Sequence, residues 1–263
     1  MKRFQIVVAL AAFAFLCSAA EVAATPEEAQ RAVLAQFATL SGANKMQSAE
    51  GKNIRHGEAT SWTFSGAESV AFDKVIQVAP NQSVARSPAS NIEPDQYLFL
   101  GRVGGEWKII AGRSLALTGM LAMLKSEYEK LLVRSPQQEA TLRNVRLTLS
   151  SDLHLSEWFN SHRSELDDLR KDFVKSGAAS WQNDRLGLEG IEEGAASKSL
   201  AELGLLSVMR NEAGHIQVTI GGMVDNEVGF MFVEAGKKPP VISASRYIWV
   251  EPLSGGWHYY KTT

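Results

Sequence analysis

Apolar positions along this chain switch between two spacings. A spacing of three or four marks helices, and a spacing of two marks strands. Val33, Phe37 and Leu40 fall on one helical face. Thr25 caps that helix, Pro26 opens it, and Glu28 completes a Thr-x-x-Glu capping box. Ser41-Gly42 ends it, and the polar stretch from Asn44 to Arg55 reads as loop. Three β segments follow. Ala59 to Phe64 and Val70 to Val78 are rich in β-branched and aromatic residues, and Ser65-Gly66 forms a turn between them. Pro80, Pro88 and Pro94 predict a long loop from Pro80 to Pro94. Tyr97 to Val103 is a strand, Gly104-Gly105 fits a tight hairpin turn, and Trp107, Ile109 and Ala111 alternate in the return strand.

The helical spacing returns at Leu121, Leu124, Tyr128, Leu131 and Leu132, and Ser135-Pro136 breaks it. Gln137 to Asn144 continues as a second helix. Phe159, His162, Leu166, Leu169 and Phe173 predict one further helix, capped by Ser156 and stopped by Gly177. After an apolar stretch from Leu200 to Met209 come strands at Ile216 to Ile220, Val228 to Val233, Val241 to Val250 and Trp257 to Tyr260. Tyr97 to Trp107 and Tyr247 to Trp257 have the same spacing, and each spans a Gly-Gly turn, which suggests a duplicated unit. The pattern predicts an α+β fold of two modules, each an amphipathic helix on an antiparallel meander. Residues 25–117 form the first module, 118–150 a helical connector and 151–263 the second.

The N-terminus has a different pattern. Lys2 and Arg3 precede an unbroken apolar run from Ile6 to Leu16, followed by Ser18-Ala19-Ala20. That order is a secretory signal peptide, with cleavage after Ala20 or Ala24. The run is shorter than the roughly 20 residues a spanning helix needs. The expected mature chain has no transmembrane helix and resides in the periplasm. Cys17 offers the alternative of a lipid anchor, although Leu16 is larger than the small residue a lipoprotein signal places there. Cys17 is the single cysteine of the chain, so the mature protein is expected to be cysteine-free and held by packing without disulfides. A cysteine-free exported chain of this size reads as bacterial.

Charge removes one partner class. With 27 Lys+Arg against 29 Asp+Glu, the chain has net charge −2 and no electrostatic footprint for nucleic acid. Motifs for zinc hydrolysis, a nucleophile elbow, a phosphate loop and a dinucleotide fold do not occur in it. No cofactor or metal is implied. Among the histidines, His162 with Glu165 one turn later is the pairing a base and its orienting carboxylate would use. Asp167-Asp168 and Glu192-Glu193 are adjacent carboxylates, and side chains next to each other on a helix diverge by about 100°. Arg246, Tyr247, Trp257 and Tyr259 gather at the C-terminal hairpin as a candidate binding surface for sugar or protein.

Trp158-Phe159-x-x-His162-Arg163-x-x-Leu166-x-x-Leu169, followed by Gly256-Trp257-His258-Tyr259-Tyr260, resembles small exported bacterial proteins of unknown function. The helix and strands ending in Gly104-Gly105-Glu106-Trp107-Lys108-Ile109-Ile110 are weakly similar to the nuclear-transport-factor-2-like fold, which implies a pocket. Neither resemblance brings catalytic residues with it, and the reading leans away from an enzyme. The expected function is a non-catalytic binding or interaction protein of the cell envelope. Its partner would be another envelope protein, a glycan or a small ligand. A hydrolase using His162 with a nearby carboxylate is one alternative, and an inhibitor or immunity protein against a secreted enzyme is another.

Overall fold

The computed structural model describes residues 26–42, 72–88, 95–116, 118–183, 195–223 and 226–263. The leader with Cys17, the loop from Asn44 to Arg55, His56, the strand expected at Ala59 to Phe64, Glu192-Glu193 and the side chains of Phe37 and Leu40 lie outside the described residues.

The class is α+β, with antiparallel sheets. Helix α1 (Pro26–Gly42) precedes a four-stranded meander in spatial order β1 (Lys74–Ala79), β2 (Gln82–Ser87), β3 (Gln96–Val103) and β4 (Glu106–Arg113). Gly104 and Gly105, at φ 63° and 88°, close the β3–β4 hairpin with the positive angles such a two-residue turn requires. Leu34 of α1 packs with Ala85, Leu98, Leu100 and Trp107 on the outer face of this sheet.

Strand β2 corrects the expected long loop between Pro80 and Pro94. Pro80 and Pro88 flank the strand, where a missing N–H costs no ladder bond. Both faces of β2 are covered, since Val84 and Ala85 are both sealed from solvent. The apolar/polar alternation that would have marked it is therefore absent.

Two helix pairs separate the sheets along the chain. Helix α2 (Thr118–Glu129) packs on α3 (Pro136–Thr148), and Ser135 and Gln138 make a reciprocal capping box at the start of α3. Helices α4 (Asp152–Ser161) and α5 (Arg163–Ser176) replace the single helix expected there. Ser151 is the N-cap, accepting from the His154 amide, while Ser156 donates its hydroxyl back to the Asp152 carbonyl. The chain breaks at His162, at φ −116° and ψ 19°, yet the apolar seam continues through Leu155, Phe159, Leu166, Leu169 and Phe173. Gly177 stops α5 in the left-handed conformation at φ 65°.

The second sheet has six strands in spatial order β5 (Ser180–Gln182), β6 (Ser207–Arg210), β7 (Ile216–Met223), β8 (Asn226–Phe232), β10 (Trp257–Thr262), β9 (Tyr247–Pro252). Helix α6 (Ala195–Leu203) occupies the start of the stretch read as Leu200 to Met209. Strand β9 begins later than the Val241 expected, because residues 241–246 make only an isolated bridge from Ile242 to Tyr247. In the β9–β10 ladder Trp249 pairs with Lys261 and Glu251 with Tyr259. Trp249, Glu251, Trp257, Tyr259 and Lys261 thus share one face. That face meets α4, α5 and the inner side of the first sheet, so Val84, Tyr97 and Phe99 belong to the same core as Phe230, Trp249 and Tyr259.

Candidate functional site

Where the two sheets and α4 converge, the core contains charge. Asp152 stands in the first turn of α4, a position the helix dipole favours for a carboxylate. Its side chain is 1% exposed. Oδ1 accepts from Lys261 Nζ at 2.7 Å, Tyr259 hydroxyl at 2.6 Å and Tyr97 hydroxyl at 2.9 Å. Oδ2 accepts from the same Tyr97 hydroxyl at 2.7 Å and from Arg86 Nη1 at 3.3 Å. Asp95, immediately before β3, accepts from the Asp152 backbone amide at 2.9 Å and from Lys261 Nζ at 3.2 Å. Strand alternation delivers Tyr97, Tyr259 and Lys261 to this point, and the Ser151 cap delivers Asp152.

Burial pushes the Asp152 carboxyl up, but the Lys261 ammonium and the hydrogen bonds from Lys261, Tyr259 and Tyr97 draw it net below its ordinary range. Burial and the Asp152 carboxylate hold Tyr97 and Tyr259 well above the usual phenol range, so both hydroxyls stay donors. Arg86 extends the network towards solvent. It reaches Glu251 at 3.1 Å and Asp73 at 2.6 Å, and Glu251 also accepts from Lys74 and from Trp249 Nε1. Burial opposes the Arg86 charge, but the Asp73 hydrogen bond and the carboxylates of Asp152, Asp73 and Glu251 raise its pKa overall.

The expected site residues fall elsewhere, with one exception. Tyr259 joins the Asp152 network. Trp257 lies on the same strand face and donates Nε1 to Asp167 at 3.0 Å, with its ring against Phe159 and Phe232. Tyr247 turns to the opposite face, edge-on to Tyr260. Arg246 lies over the Tyr247 ring at 5.7 Å and pairs with Glu212 in solvent. His162 stacks on Trp158 with ring centroids 4.3 Å apart, and its Nδ1 lies 2.9 Å from the Trp158 carbonyl. Glu165 is exposed and accepts from the Ser164 hydroxyl, the main cause of its lowered pKa. No hydrogen bond or ion pair joins His162 to Glu165 among the described contacts. The Asp167-Asp168 pair diverges as expected, Asp167 to Trp257 and Asp168 to Lys171.

Asp152, Asp95, Lys261, Tyr97 and Arg86 were not singled out in the sequence. One signal was available: Lys261 continues the Trp257, Tyr259 alternation, which places a lysine on the inward face of an aromatic strand.

Two features face solvent. A shallow groove of roughly 420 Å³ runs between α1 and the β3–β4 turn, bordered by Val33, Arg102 and Trp107. Helix α2 has no buried residue. Its Met123 is 71% exposed, and Leu132 and Val133 in the link to α3 are 101% and 87% exposed. Arg134 fixes that link by donating to the carbonyls of Tyr128 and Leu131 at 2.9 and 3.0 Å. Among the described residues no side-chain cluster could hold a metal ion, and no helix is long and apolar enough to cross a membrane. Comparison with protein-family models, with curated proteins and with solved structures returns no match for this chain.

Proposed function

We propose that this chain is an exported, periplasmic, non-catalytic interaction protein that docks an apolar segment of another envelope protein on α2 and the α2–α3 link. Exposure of α2 carries the reading. Exposed large apolar side chains gathered on one element mark an interaction site, and Met120 and Met123 on α2 with Leu132 and Val133 in the link are such side chains. Arg134 holds the link in place before a partner arrives, which lowers the ordering cost of binding. Balanced charge around the patch selects the partner class. Lys130 pairs with Glu127, Arg134 with Glu139 and Arg146 with Glu129. An anionic lipid surface calls for a cluster of unpaired Lys and Arg; beside these pairs Lys125 of α2 adds a single positive charge, and so nearly neutral a rim suits an apolar protein segment.

A glycan partner is less favoured, because Trp249, Trp257, Tyr259 and Tyr260 are buried and cannot serve as stacking platforms. A hydrolase is less favoured because the convergent ionisable groups accept and donate among themselves, away from solvent. Export is supported by Lys2, Arg3, the apolar run from Ile6 to Leu16 and Ser18-Ala19-Ala20.

The test places a photo-crosslinking amino acid at Leu132 and, as a control, at exposed Val241, in the chain expressed in its own host. A discrete adduct with a second protein, formed from position 132 alone and lost with Met123→Asp, is the expected result. Adducts of equal yield from both positions, an adduct only with a second copy of the chain, or none overturns the reading.

A further inference from the structure

We propose that Lys261 and Asp152 become joined by an intramolecular isopeptide bond, with Asp95 as the proton carrier. The three side chains are 2%, 1% and 3% exposed, so water is excluded from the reacting atoms. Lys261 Nζ lies 2.7 Å from Asp152 Oδ1 and 3.2 Å from Asp95 Oδ2. Aromatic rings wall the site: Nζ is 5.3 Å from the Tyr97 ring centre and 5.8 Å from that of Tyr259. Held reactants of this kind reach effective molarities on the order of 10⁵–10⁸ M, which lets condensation compete where free lysine and aspartate in water would not react.

Each partner of the Asp152 carboxylate has a place in the step. A proton moves from Nζ to Oδ1 along their hydrogen bond, leaving a neutral amine beside a neutral acid. The Nζ lone pair attacks Cγ, and the Cγ–Oδ2 π electrons move onto Oδ2. Tyr97 and Arg86 donate to that oxygen and stabilise its developing charge. Asp95 takes one proton from the cationic nitrogen. The carbonyl re-forms at Oδ2, and the Cγ–Oδ1 bond breaks with its electron pair on Oδ1, to which Tyr259 already donates. Oδ1 leaves as water with the proton that Asp95 returns. Ammonium plus carboxylate become amide plus water, with no change of oxidation state.

The product loses two charges and the Oδ1 acceptor that Tyr259 used, and keeps the hydrogen bonds to Oδ2. The new amide N–H faces Asp95, and the new carbonyl still accepts from Tyr97 and Arg86. Taking charges out of water is costly even when they are paired, so exchanging a buried ion pair for an amide relieves the core. The cross-link ties the last strand to the start of α4 across 109 positions of sequence. It would do so in a chain whose one cysteine is Cys17.

Intact-mass and tandem mass spectrometry of the purified native chain test this directly. The expected chain is one water lighter than the sequence from its measured N-terminus, and its digest contains a branched peptide joining residues 152 and 261. Asp95→Asn, with native circular dichroism, remains at the full mass. A native chain at full mass overturns the proposal. So does a chain one water lighter whose dehydration lies in a linear peptide opened by hydroxylamine. If Asp95→Asn does not fold, the native chain decides alone. If it folds and still cross-links, the role given to Asp95 is overturned.

Discussion

Replacing Leu132 and Val133 together by Asp separates docking from folding. Both side chains lie almost wholly in solvent, and the surrounding structure does not depend on them. Arg134 still caps α2, and the Ser135–Gln138 box still starts α3. Surface substitutions of this kind change stability by about 0.5 kcal/mol or less. For the two together in a chain of this size that is at most roughly 2–4 °C in Tm. Binding responds differently. Burying an exposed Leu or Val in a partner contributes about 1.5–3 kcal/mol each, so losing both removes roughly 3–6 kcal/mol. At about 1.4 kcal/mol per decade, affinity falls by a factor of roughly 10² to 10⁴. The assay pairs a thermal melt of the purified variant with crosslinking from a photo-probe at Met123 in the host. An unchanged melt with the adduct lost is the expected outcome. An unchanged adduct would refute the docking surface. A melt lowered by more than about 5 °C would show the two residues to be structural.

Three further outcomes follow from particular contacts. Burial lowers the His258 pKa below its ordinary 6.5, so the unfolded chain binds a proton that the folded chain refuses as pH falls through 6.5. That contribution is complete above about pH 7 and is lost on acidification; denaturation midpoints for His258→Asn should show a smaller loss between pH 7 and 5 than the native chain. A Cβ at Gly229 would run into the Val218 carbonyl oxygen and lie 2.9 Å from the Tyr260 hydroxyl. Gly229→Ala should therefore cost at least about 1–3 kcal/mol in urea unfolding, because backbone must move. Trp257→Phe removes the bond to Asp167 and empties part of a fully buried indole site, so a loss of at least about 1.5–3 kcal/mol is expected; a neutral result would show that neither the bond nor the indole packing contributes there.

Legibility in the sequence followed the range of the interaction. Local signals carried the elements: Pro26 at the start of α1, Gly104-Gly105 between β3 and β4, and Gly177 at the end of α5. Where burial covers both faces, the local signal disappears, as in β2. His162 shows a different limit. The seam from Phe159 to Phe173 keeps its helical spacing across a break, so periodicity alone cannot reveal the interruption. The Asp152 site was least legible, because its members come from β2, the approach to β3, β3 itself, α4 and β10 and meet only through the packing of the two sheets. Tyr259 was marked for its ring, and its hydroxyl is what places it in the network.

A buried charge cluster and an exposed apolar helix are opposite departures from the usual sorting of residues, and each signals a use beyond stability. For the buried cluster, Asp152→Asn separates the two readings cleanly. In a purely ionic network this substitution removes the carboxylate and leaves Lys261 facing Asp95 alone. Breaking a buried pair in this way costs about 3–5 kcal/mol, and the mass is that of the sequence. If the site condenses, the carboxamide introduced by the substitution is also an electrophile, and ammonia leaves in place of water. The product is then the same amide in both chains: the variant and native proteins have identical final masses, although the variant loses one ammonia and the native chain one water. Stability would also match, since the closed loop of 109 positions supplies roughly 5 kcal/mol of chain-entropy stabilisation in either case. An Asp152→Asn chain at full mass with a lowered melt would show that the carboxamide does not condense, and a native chain at full mass beside it would refute the condensation argument and leave the cluster as an ion pair.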